Sequence, residues 1–595
     1  MRSFFIYKIL LKGVISLKYS GAEIVIKLLE IEGVEYITGI PGGFNLPIYD
    51  ALSKSNIKHV LARHEQGAGF IAQGFSRTTG KPGVCFATSG PGVTNILTAI
   101  ADAKLDSIPL VAITGQVPLS SIGTDAFQEV DAYGLTIPIT KHNFLVKNIH
   151  DLFTIIPEAF KIALDGRPGP VLIDIPKNIQ TETIELNTFL TEEEQEFSKD
   201  IASSLLETGI PESEYSSITK RFQIKNSTLE CMAELINNSK KPIIYAGGGI
   251  IASNASKDLY NFAKKSNIPV TLSLMGLGAF PSDDELSLGM LGMHGAPYTN
   301  YLINEADLIL AFGVRFDDRA TGNIEKFSPK AQILHIDIDP SEINKIKSAN
   351  LSMVANIKYF LEDCLPYIEE KSRTHWIERI KCFKNKYPLP SYDNQLHPAN
   401  IIPFTASIVP EDTIITTDVG QNQMWTAQRY PFKFPKTLLT SGGLGTMGFG
   451  LPVAIGASLA NKDKTILCFS GDGSILMNIQ ELATLADLNL NVKIIILNNH
   501  HLGLVRQQQE LFYSEHYIAS SFISNPNLKV IAQGFGINAC DLGEENKPFN
   551  KLEELLTSVG PCLINIPITE TENIFPMVAP GGPNIEMIGG EKFND

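Results

Sequence analysis

The chain has 595 residues, of which 44% are hydrophobic and 19% charged, and its formal net charge is −15. This length allows about three to four domains of ordinary size. The acidic balance argues against a nucleic-acid-binding surface, which would need a basic face. The seven cysteines are scattered, with no C-x-x-C pair and no zinc-type spacing with histidine, as expected for a reduced cytoplasmic protein.

The first 18 residues mix Arg2, Lys8, Lys12 and Lys18 with short apolar runs. Lysine interrupts these runs before they reach the length of a signal core, and no run of about 18 apolar residues follows. We therefore expect an extended cytoplasmic start and no membrane segment. An export or transit signal is the alternative.

Three blocks of short apolar strands alternating with small-residue helical segments follow. The first, residues 19–186, contains EYITGIP, IKHVLAR, GVCFATS, IPLVAITG and VLIDIP. The second, 228–370, contains KPIIYAGGG, ADLILAFGVRF and ILHIDIDP, and the third, 397–568, contains DTIITTDVG, KTILCFSGDGS, VKIIILNN and CLINIPI. This alternation predicts an α/β fold with three doubly wound parallel-sheet domains. The first and third blocks have similar lengths and patterns.

The remaining segments are predicted connections. Residues 187–227 are polar, acidic and without periodicity, which is typical of a linker, and residues 371–396 form a second, charged helical linker. The Pro- and Gly-rich tail, residues 569–595, is predicted to fold over another part of the protein rather than to form a core.

The strongest chemical motif lies in the third block, where Gly471-Asp472-Gly473-Ser474 ends one strand and Asn498-Asn499 ends the next. The carboxyl ends of parallel strands meet at one edge of the sheet, where ligands bind. Carboxylate and amide oxygens suit Mg²⁺, which usually bridges to phosphate oxygens. A plain turn is the alternative for the Gly-Asp-Gly segment alone, but the paired asparagines disfavour it.

This pairing resembles the metal-binding motif of thiamine-diphosphate enzymes. The resemblance implies Mg²⁺ ligation by Asp472, Asn499 and the backbone carbonyl of His501, whose side chain need not participate. Such an enzyme also needs a carboxyl group beside N1′ of the aminopyrimidine, where a dry site and a raised pKa favour proton donation. Glu65, after a strand and at the start of a Gly- and Ala-rich helix, is the candidate. A glutamate that merely favours the helix dipole is the alternative.

A formal G-x-G-x-x-G occurs at Gly443, Gly445 and Gly448. We do not interpret it as an NAD site, because no clean strand precedes it. Its position before the Gly-Asp-Gly segment resembles the thiamine-family loop in which a bulky residue, here Met447, props the cofactor in a bent conformation. A methionine packed in a core is the alternative.

From about Lys18 to Gly590 the chain resembles the catalytic subunits of acetolactate synthase (acetohydroxyacid synthase), and among them the bacterial isozyme I large subunits. The strings that match are IPGGFNLPIYDAL, RHEQGAGFIAQG, SGPGVTN, DSIPLVAITGQV, IGTDAFQE, GRPGPVLIDIPK, LGMLGMHG, RFDDR, TTDVGQNQMW, SGGLGTMGFGLP and FPMVAPGG. The implied reaction decarboxylates pyruvate and ligates the hydroxyethyl carbanion/enamine to a second 2-oxo acid. Pyruvate as acceptor gives 2-acetolactate and 2-oxobutyrate gives 2-aceto-2-hydroxybutyrate, the first common step toward valine, leucine and isoleucine.

The resemblance also implies site residues. Those implied to take part in catalysis or to line the channel, besides Glu65, are Gly43, Phe127, Gln128, Lys177 and Gln508. Those implied to hold thiamine diphosphate are Val419, Gly420, Gln421, Asn422, Gly445, Met447, Gly473, Ser474, Leu502 and Gly503. Ordinary loop packing is the alternative for Phe127 and the glycines, and a solvated strand end is the alternative for Lys177.

The second block resembles the family's FAD-binding domain. Three glycines after a strand and the acidic end of ILHIDID suit the phosphates and hydroxyls of a dinucleotide. A carboligation gives the flavin no redox task, so its inferred role is structural. The implied contacts are Arg167, Gly247, Gly248, Gly249, Thr271, Leu272, Met293, His294, Gly313, Arg315, Asp317, Arg319, Asp337 and Ile338.

In this family the glutamate and the metal come from different subunits, so the resemblance implies a homodimer or tetramer, and a small regulatory subunit is the further partner expected. Two residues depart from the family pattern. Asn422 replaces the histidine of GQHQMW, so we expect weaker or rearranged cofactor contacts. Gln508 replaces a tryptophan that shelves the acceptor's extra methyl group, so we expect weak preference for 2-oxobutyrate over pyruvate.

The competing interpretations are a pyruvate oxidase or simple 2-oxo acid decarboxylase, and a non-catalytic nucleotide-binding paralogue. The oxidase would reduce its flavin with pyruvate, and the decarboxylase would release acetaldehyde. The non-catalytic paralogue is disfavoured because the residues proposed for catalysis and metal binding, Glu65, Asp472 and Asn499, are all present.

Overall fold

The computed structural model describes residues 18–185 and 225–589. The predicted cytoplasmic start, most of the predicted 187–227 linker and the end of the predicted tail lie outside these residues. By its contacts the described chain divides into two compact units, one of residues 18–76 and 81–185, the other of residues 77–80 and 225–589. Of the helices in the described ranges, none combines the length and apolar character needed to cross a bilayer.

Six parallel strands form the sheet of the first unit. In chain order they are Tyr36–Gly39, Lys58–Leu61, Gly83–Ala87, Leu110–Gln116, His142–Leu145 and Pro170–Pro176. The α-helices around this sheet are Gly21–Ile31, Leu46–Leu52, Glu65–Thr79, Pro91–Asp106, Ala132–Thr136, Leu152–Leu164 and Lys177–Thr181. A two-stranded antiparallel pairing of Lys18–Ser20 with Thr183–Glu185 joins the two ends of the unit.

Two six-stranded parallel sheets lie in the second unit. The strands of the central sheet are, in chain order, Pro242–Ala246, Val270–Leu272, Ser287–Met290, Leu308–Phe312, Gln332–Asp337 and Leu351–Val354. Its helices are Asn226–Asn238, Gly248–Ala252, Ser256–Ser266, Pro297–Glu305, Asp318–Thr321, Ile357–Cys364 and Thr374–Lys386.

The third sheet of the molecule is the C-terminal one. Its strands are Ile414–Thr417, Leu438–Leu439, Ile466–Gly471, Val492–Asn498, Asn538–Asp541 and Cys562–Pro567. Its helices are Pro398–Ile408, Gln421–Arg429, Gly450–Ala460, Asp472–Ile475, Glu481–Leu488, Gly503–Phe512, Leu528–Gly534 and Pro548–Thr557.

Strand order relates the three sheets. Numbered along the chain within each sheet, the first and third sheets have the same order, 2-1-3-4-6-5, whereas the central sheet has the order 3-2-1-4-5-6. In every sheet the first strand is interior, so successive connections leave it on opposite sides and open a crevice at the carboxyl edge. The prediction of three doubly wound parallel sheets, with similar first and third blocks, is confirmed.

Every strand-like run quoted from the sequence contains a strand, but six strands of the three six-stranded sheets were not predicted. They are His142–Leu145, Val270–Leu272, Ser287–Met290, Leu351–Val354, Leu438–Leu439 and Asn538–Asp541. All except Val270–Leu272 lie at the edge of a sheet. Edge strands pair on one side only, so they are short and lack the continuous apolar run of a central parallel strand.

The prediction for the tail is partly wrong. The tail does fold over another part of its unit, since the Val578 N–H donates to the Met293 carbonyl at 2.9 Å and Asn584 Nδ2 to the Ala320 carbonyl at 2.8 Å. It also contributes core, because Ile574, Met577 and Val578 are at most 1% exposed. Apolar side chains spaced among Pro and Gly are enough to bury an irregular segment.

Candidate functional site

Glu65 is the first residue of the helix Glu65–Thr79, as predicted, and only 9% of it is exposed. Asn95 Nδ2, on the helix Pro91–Asp106, donates to Glu65 Oε2 at 2.9 Å. This contact fixes the orientation of the carboxylate in a site with little water. Asn95 was not singled out in the sequence, although it is the one amide in the string SGPGVTN.

Three loops meet at the crevice of the first sheet. Gly42, in the loop after the first strand, has no room for a Cβ, which would lie 2.5 Å from the Thr88 side chain. Gly90 also has no room for a side chain, because an added Cβ would lie 2.9 Å from the Cβ of Gln128. These contacts bring the loop that carries Gly43 and the loop that carries Gln128 to one edge.

Lys177 and Phe127 complete the predicted channel residues of this unit. The Lys177 ammonium lies over the Phe44 ring, 5.6 Å from its centroid, so it is half-buried beside Gly43 rather than a fully solvated strand end. Phe127 is 81% exposed, so ordinary loop packing does not account for it. Gly43 has open space around its Cα, so packing gives no reason for glycine there either.

A buried carboxylate supports the loop that carries Phe127 and Gln128. Asp174 accepts from Thr114 Oγ1 at 2.7 Å and from Gln116 Nε2 at 2.9 Å. Gln116 Nε2 also donates to the Val130 carbonyl at 2.9 Å, which anchors the end of the loop. Burial raises the pKa of Asp174 to about 7, although both hydrogen bonds act to lower it.

We expect Asp174→Asn to change the pH dependence of stability. Between its ordinary pKa of 3.8 and a folded pKa of about 7, Asp174 holds a proton in the folded state that the unfolded chain has released. Its contribution is therefore greatest at low pH and declines as pH rises toward 7. The thermal unfolding midpoint of the unmodified chain should fall, relative to that of Asp174→Asn, between about pH 4 and pH 7. Asp50→Asn, at an exposed aspartate, should follow the unmodified chain, and equal profiles for Asp174→Asn would contradict the assignment.

In the C-terminal sheet, three helices begin where three neighbouring strands end. Gln421, Asp472 and Gly503 are the first residues of these helices. Helix N-termini present free backbone N–H groups and the positive end of the helix dipole, a combination that suits a diphosphate. Ser474 Oγ donates to the Val419 carbonyl at 2.7 Å and ties two of these helix starts together.

The predicted metal ligands lie at these strand ends. Asn525 Nδ2 donates both to Asp472 Oδ2 at 2.6 Å and to Asn498 Oδ1 at 2.9 Å, so one amide joins the ends of the two strands. The His501 backbone N–H donates to Asn499 Oδ1 at 3.1 Å. The His501 ring lies 2.9 Å from the Asn499 carbonyl through Nδ1, consistent with a ligand that uses only its backbone.

The chemistry of this set fits a hydrated magnesium ion. A carboxylate, an amide oxygen and a backbone carbonyl are hard oxygen ligands, and Mg²⁺ usually retains water as well. Asn525 Oδ1 is buried beside Asp472 and has no hydrogen-bond donor among the described residues, so it can accept from such a water. Burial raises the pKa of the Asp472 carboxyl, and a bound cation would stabilise its charged form.

Asp418 was not predicted from the sequence. It connects the loops around the proposed magnesium and diphosphate site. Its carboxylate accepts from the backbone N–H of Val419 at 3.0 Å, the N–H of Gly448 at 2.8 Å and Ser470 Oγ at 3.1 Å. It is fully buried, which raises its pKa to about 6. The signal in the sequence was an acidic residue directly after the buried strand Ile414–Thr417.

The remaining predicted thiamine residues lie around these loops. Met447 is half-buried, less than a core methionine would be. The strand nearest before the glycine segment is Leu438–Leu439, which has only two residues and lies at the edge of the sheet. Asn422, which replaces the family histidine, is 4% exposed, and its Oδ1 has no partner among the described residues. Gly473 leaves no room for a Cβ, which would lie 2.9 Å from Leu502 Cδ2.

Gly503 is the position where a side chain should do most damage. An added Cβ would lie 2.1 Å from Gln421 Oε1 and 2.6 Å from Asn499 Nδ2. We expect Gly503→Ala to displace this amide pair and to weaken binding of Mg²⁺ and thiamine diphosphate by about tenfold or more, measured by calorimetry. Gly534→Ala, whose Cβ would meet nothing within 4 Å, is the matched control. Unchanged affinity in Gly503→Ala would contradict this account.

In the central sheet, the crevice lies between the strands Pro242–Ala246 and Leu308–Phe312. The loops after them are packed backbone to backbone, since a Cβ on Gly247 would lie 2.2 Å from the Gly313 carbonyl and one on Gly249 would lie 2.7 Å from Gly313 Cα. Loop packing therefore explains these glycines, and the same closeness lets a phosphate approach the backbone. The 3-2-1-4-5-6 order is that of dinucleotide-binding folds and fits FAD.

Other predicted flavin contacts surround this crevice. The Met293 N–H donates to the Arg319 carbonyl at 2.7 Å, and Asp317 caps the helix Asp318–Thr321. His294 is buried against the Pro576 carbonyl, and burial lowers its pKa to about 4, so it is neutral at physiological pH.

The other predicted flavin residues are divided between the two units. Thr271 Oγ1 donates within the sheet to the Gly289 carbonyl at 3.0 Å. Arg167 belongs to the first unit, where its Nε donates to Ser107 Oγ at 2.8 Å. The other residues, which lie at or near strand ends of the central sheet, are Gly248, Leu272, Arg315, Asp337 and Ile338.

Comparison with known proteins gives matches along most of the chain. The models of the thiamine pyrophosphate enzyme N-terminal TPP binding domain, central domain and C-terminal TPP binding domain match residues 19–135, 229–364 and 418–566. The acetolactate synthase isozyme 1 large subunit of Escherichia coli (strain K12) is 50% identical over 575 residues, which cover 96% of this chain and 98% of that protein.

Two further relatives come from a second isozyme and from a plant. The Escherichia coli (strain K12) isozyme 2 large subunit is 42% identical over 576 residues, covering 96% of this chain and 99% of the relative. The chloroplastic acetolactate synthase of Arabidopsis thaliana is 43% identical over 579 residues, covering 94% of this chain and 83% of the relative.

Proposed function

The chain belongs to the acetolactate synthase large subunits, a family of thiamine pyrophosphate enzymes, and we propose from this membership how its residues perform the reaction. The family reaction condenses pyruvate with a second 2-oxo acid, with loss of CO₂, in the first common step of branched-chain amino acid biosynthesis. Its cofactors are thiamine diphosphate, Mg²⁺ and FAD. The observation that carries the assignment is the intact pair of Glu65 and Asp472 at the predicted helix starts.

Thiamine diphosphate, when bound, supplies the electron sink that allows pyruvate to lose CO₂ and its remaining two carbons to join another carbonyl. Mg²⁺ would be held beside the diphosphate by Asp472, Asn499 and the His501 carbonyl. The residues that would hold thiamine diphosphate are those predicted from the sequence, namely Val419, Gly420, Gln421, Asn422, Gly445, Met447, Gly473, Ser474, Leu502 and Gly503.

Glu65 would hold and exchange a proton at N1′ of the aminopyrimidine. Its burial and its hydrogen bond from Asn95 support this role, because both restrict the carboxylate to one orientation. Gly43, Phe127, Gln128 and Lys177 would line the substrate channel. The positive charge of Lys177 suits the carboxylate of a 2-oxo acid.

The central sheet would bind FAD through the backbone of its glycine loops. The proposed role of the flavin is structural, because joining two 2-oxo acids requires no net redox change. The proposed contacts are those predicted from the sequence, including Arg167 in the first unit.

We further propose that the active assembly is a homodimer or a pair of dimers. Glu65 and Asp472 belong to different compact units. The first unit also exposes large apolar side chains shortly after Phe127 in the sequence, namely Tyr133, Leu135 and Ile137, which are 43%, 41% and 59% exposed. Exposed apolar side chains of this size are typical of a protein interface. A small regulatory subunit is a proposed partner, since several relatives are named large subunits, and a cytoplasmic location is consistent with seven free cysteines.

Replacement of the proposed proton-exchanging residue tests the mechanism. We expect Glu65→Gln to lower the rate of acetolactate formation by about 100-fold or more, because an amide cannot exchange a proton with N1′. The purified chain is assayed with pyruvate, Mg²⁺ and thiamine diphosphate, with and without FAD, and both acetolactate and acetaldehyde are scored.

The control for this variant addresses the helix-dipole alternative. Glu23 also lies in the first turn of a helix, where it completes a capping box with Ser20. Glutamine keeps that capping box but removes the charge, so Glu23→Gln should lose little activity. Full activity in Glu65→Gln would exclude the proposed role. Acetaldehyde as the main product of the unmodified chain would favour a decarboxylase.

Substitution of Gln508 tests which 2-oxo acid is preferred as the acceptor. It is exposed on the helix Gly503–Phe512, at the position where the family resemblance implies a tryptophan. With pyruvate and 2-oxobutyrate supplied together, we expect the two products in a ratio close to that of the substrates. Gln508→Trp should favour the C6 product by about 10-fold or more, because one methylene in an apolar pocket is worth about 1–3 kcal/mol. Gln533→Trp, on the exposed face of another helix, should not, and a strong C6 bias in the unmodified chain would contradict the prediction.

A further inference from the structure

Three buried amide side chains form a continuous chain of hydrogen bonds behind the proposed metal site. Asn499 Nδ2 donates to Gln421 Oε1 at 3.0 Å, and Gln421 Nε2 donates to Gln507 Oε1 at 3.0 Å. Their exposed fractions are 5%, 4% and 0%. Gln421 Nε2 donates as well to the Glu572 carbonyl at 2.9 Å, so the chain reaches the C-terminal segment.

The backbone of Ile574 decides which way the last amide points. The Ile574 N–H donates to Gln507 Oε1 at 2.9 Å, and Gln507 Nε2 donates to the Ile574 carbonyl at 2.8 Å. The two ends of an amide have nearly the same shape, so only their partners distinguish them. A backbone N–H can only donate and a carbonyl can only accept, which leaves one orientation for Gln507.

This orientation is transmitted to the metal site. Gln507 presents its oxygen to Gln421, so Gln421 must present its nitrogen in return and its oxygen to Asn499. Asn499 then turns its nitrogen toward Gln421, and its oxygen faces away from the chain, where the His501 N–H also requires an acceptor. A reversed amide at any position would bring two donors or two acceptors together in a buried site.

We infer that Gln507 is a positioning residue for the magnesium site, acting through Gln421 to keep the oxygen of Asn499 directed toward the cation. Mg²⁺ requires oxygen ligands, and the NH₂ group of a reversed asparagine cannot replace one. The inference rests on the proposed role of Asn499 as a ligand. It adds a residue that touches neither metal nor cofactor, together with the C-terminal segment that sets its orientation.

The packing around the amide chain supports this inference. Gly503 lies against Gln421 and Asn499 so closely that no Cβ would fit, which prevents the pair from moving apart on that side. The C-terminal segment has a second anchor in Arg506, which donates to Asn573 Oδ1 at 2.9 Å and to the Thr571 carbonyl at 3.1 Å. Arg506 makes no hydrogen bond to Gln421. The effects of Gln507 and of Arg506 on the C-terminal segment can therefore be separated by mutation.

The test compares Gln507→Met with Arg506→Met in the full-length chain. Methionine keeps the length of glutamine but neither donates nor accepts as an amide does. We expect Gln507→Met to weaken binding of Mg²⁺ plus thiamine diphosphate about 10- to 100-fold, as loss of a group that orients a metal ligand does. Arg506→Met should lower the unfolding midpoint but leave this affinity within about threefold of the unmodified chain. Affinity is measured by calorimetry on protein stripped of Mg²⁺ and thiamine diphosphate but not of FAD, with retained flavin absorbance as the check of folding.

A double variant separates transmission from simple support of the C-terminal segment. In a Gln421→Met background the link to Asn499 is already broken, so Gln507→Met should cause little further loss of affinity. If Gln507→Met retains no flavin, Gln507→Leu replaces it, since it also removes the oxygen that accepts from Gln421, and its loss of affinity should still exceed that of Arg506→Met.

Three results would overturn the inference. They are unchanged affinity in Gln507→Met, an equal loss in Arg506→Met, and additive losses with Gln421→Met. Failure of the proposed function would look different, because Asp472→Ala would then retain its affinity for Mg²⁺ plus thiamine diphosphate whatever the outcome at Gln507.

Discussion

Everything proposed for this protein depends on parallel strands that end at a common edge, with the first strand of each sheet in its interior. Because connections leave that strand on opposite sides, the neighbouring loops diverge and leave a crevice. In the C-terminal sheet this crevice receives the helix starts at Gln421 and Asp472, and in the central sheet it receives the loops of Gly247 and Gly313. One topological rule thus underlies both the proposed metal and diphosphate site and the proposed dinucleotide site.

Strand ends alone do not give a precise site, since loops are the most variable part of such a fold. Here buried polar groups hold the loops. Asp418 joins three loops of the C-terminal half-site, Asp174 supports the anchor of the Phe127 loop, and Gln507 orients Gln421. A buried polar group is costly unless its hydrogen bonds are made, so each of these groups strongly favours the one loop arrangement that satisfies it.

The proposed assembly of several copies matters because the described chain divides into two units. One unit carries Glu65 and the other carries Asp472, and the sheets that hold them have the same strand order. We propose that Glu65 of one copy of the chain and Asp472 of another serve the same cofactor molecule. The exposed apolar side chains that follow Phe127 in the sequence support this proposal, because contact of apolar surface with water is unfavourable.

The sequence by itself determined the fold class, all but one of the interior strands and the chemical types of the site, because continuous apolar runs and motifs such as Gly-Asp-Gly followed by Asn-Asn are local patterns. It also determined Glu65, Asp472 and Asn499 as candidates. Only the tertiary structure decided the strand order, the short edge strands and the core contribution of the tail. It also supplied Asn95, Asp418, Gln507 and Asn525, whose roles come from hydrogen bonds between residues far apart in sequence. Local sequence does not encode the partner of a buried amide, since that partner is fixed only when distant strand ends come together.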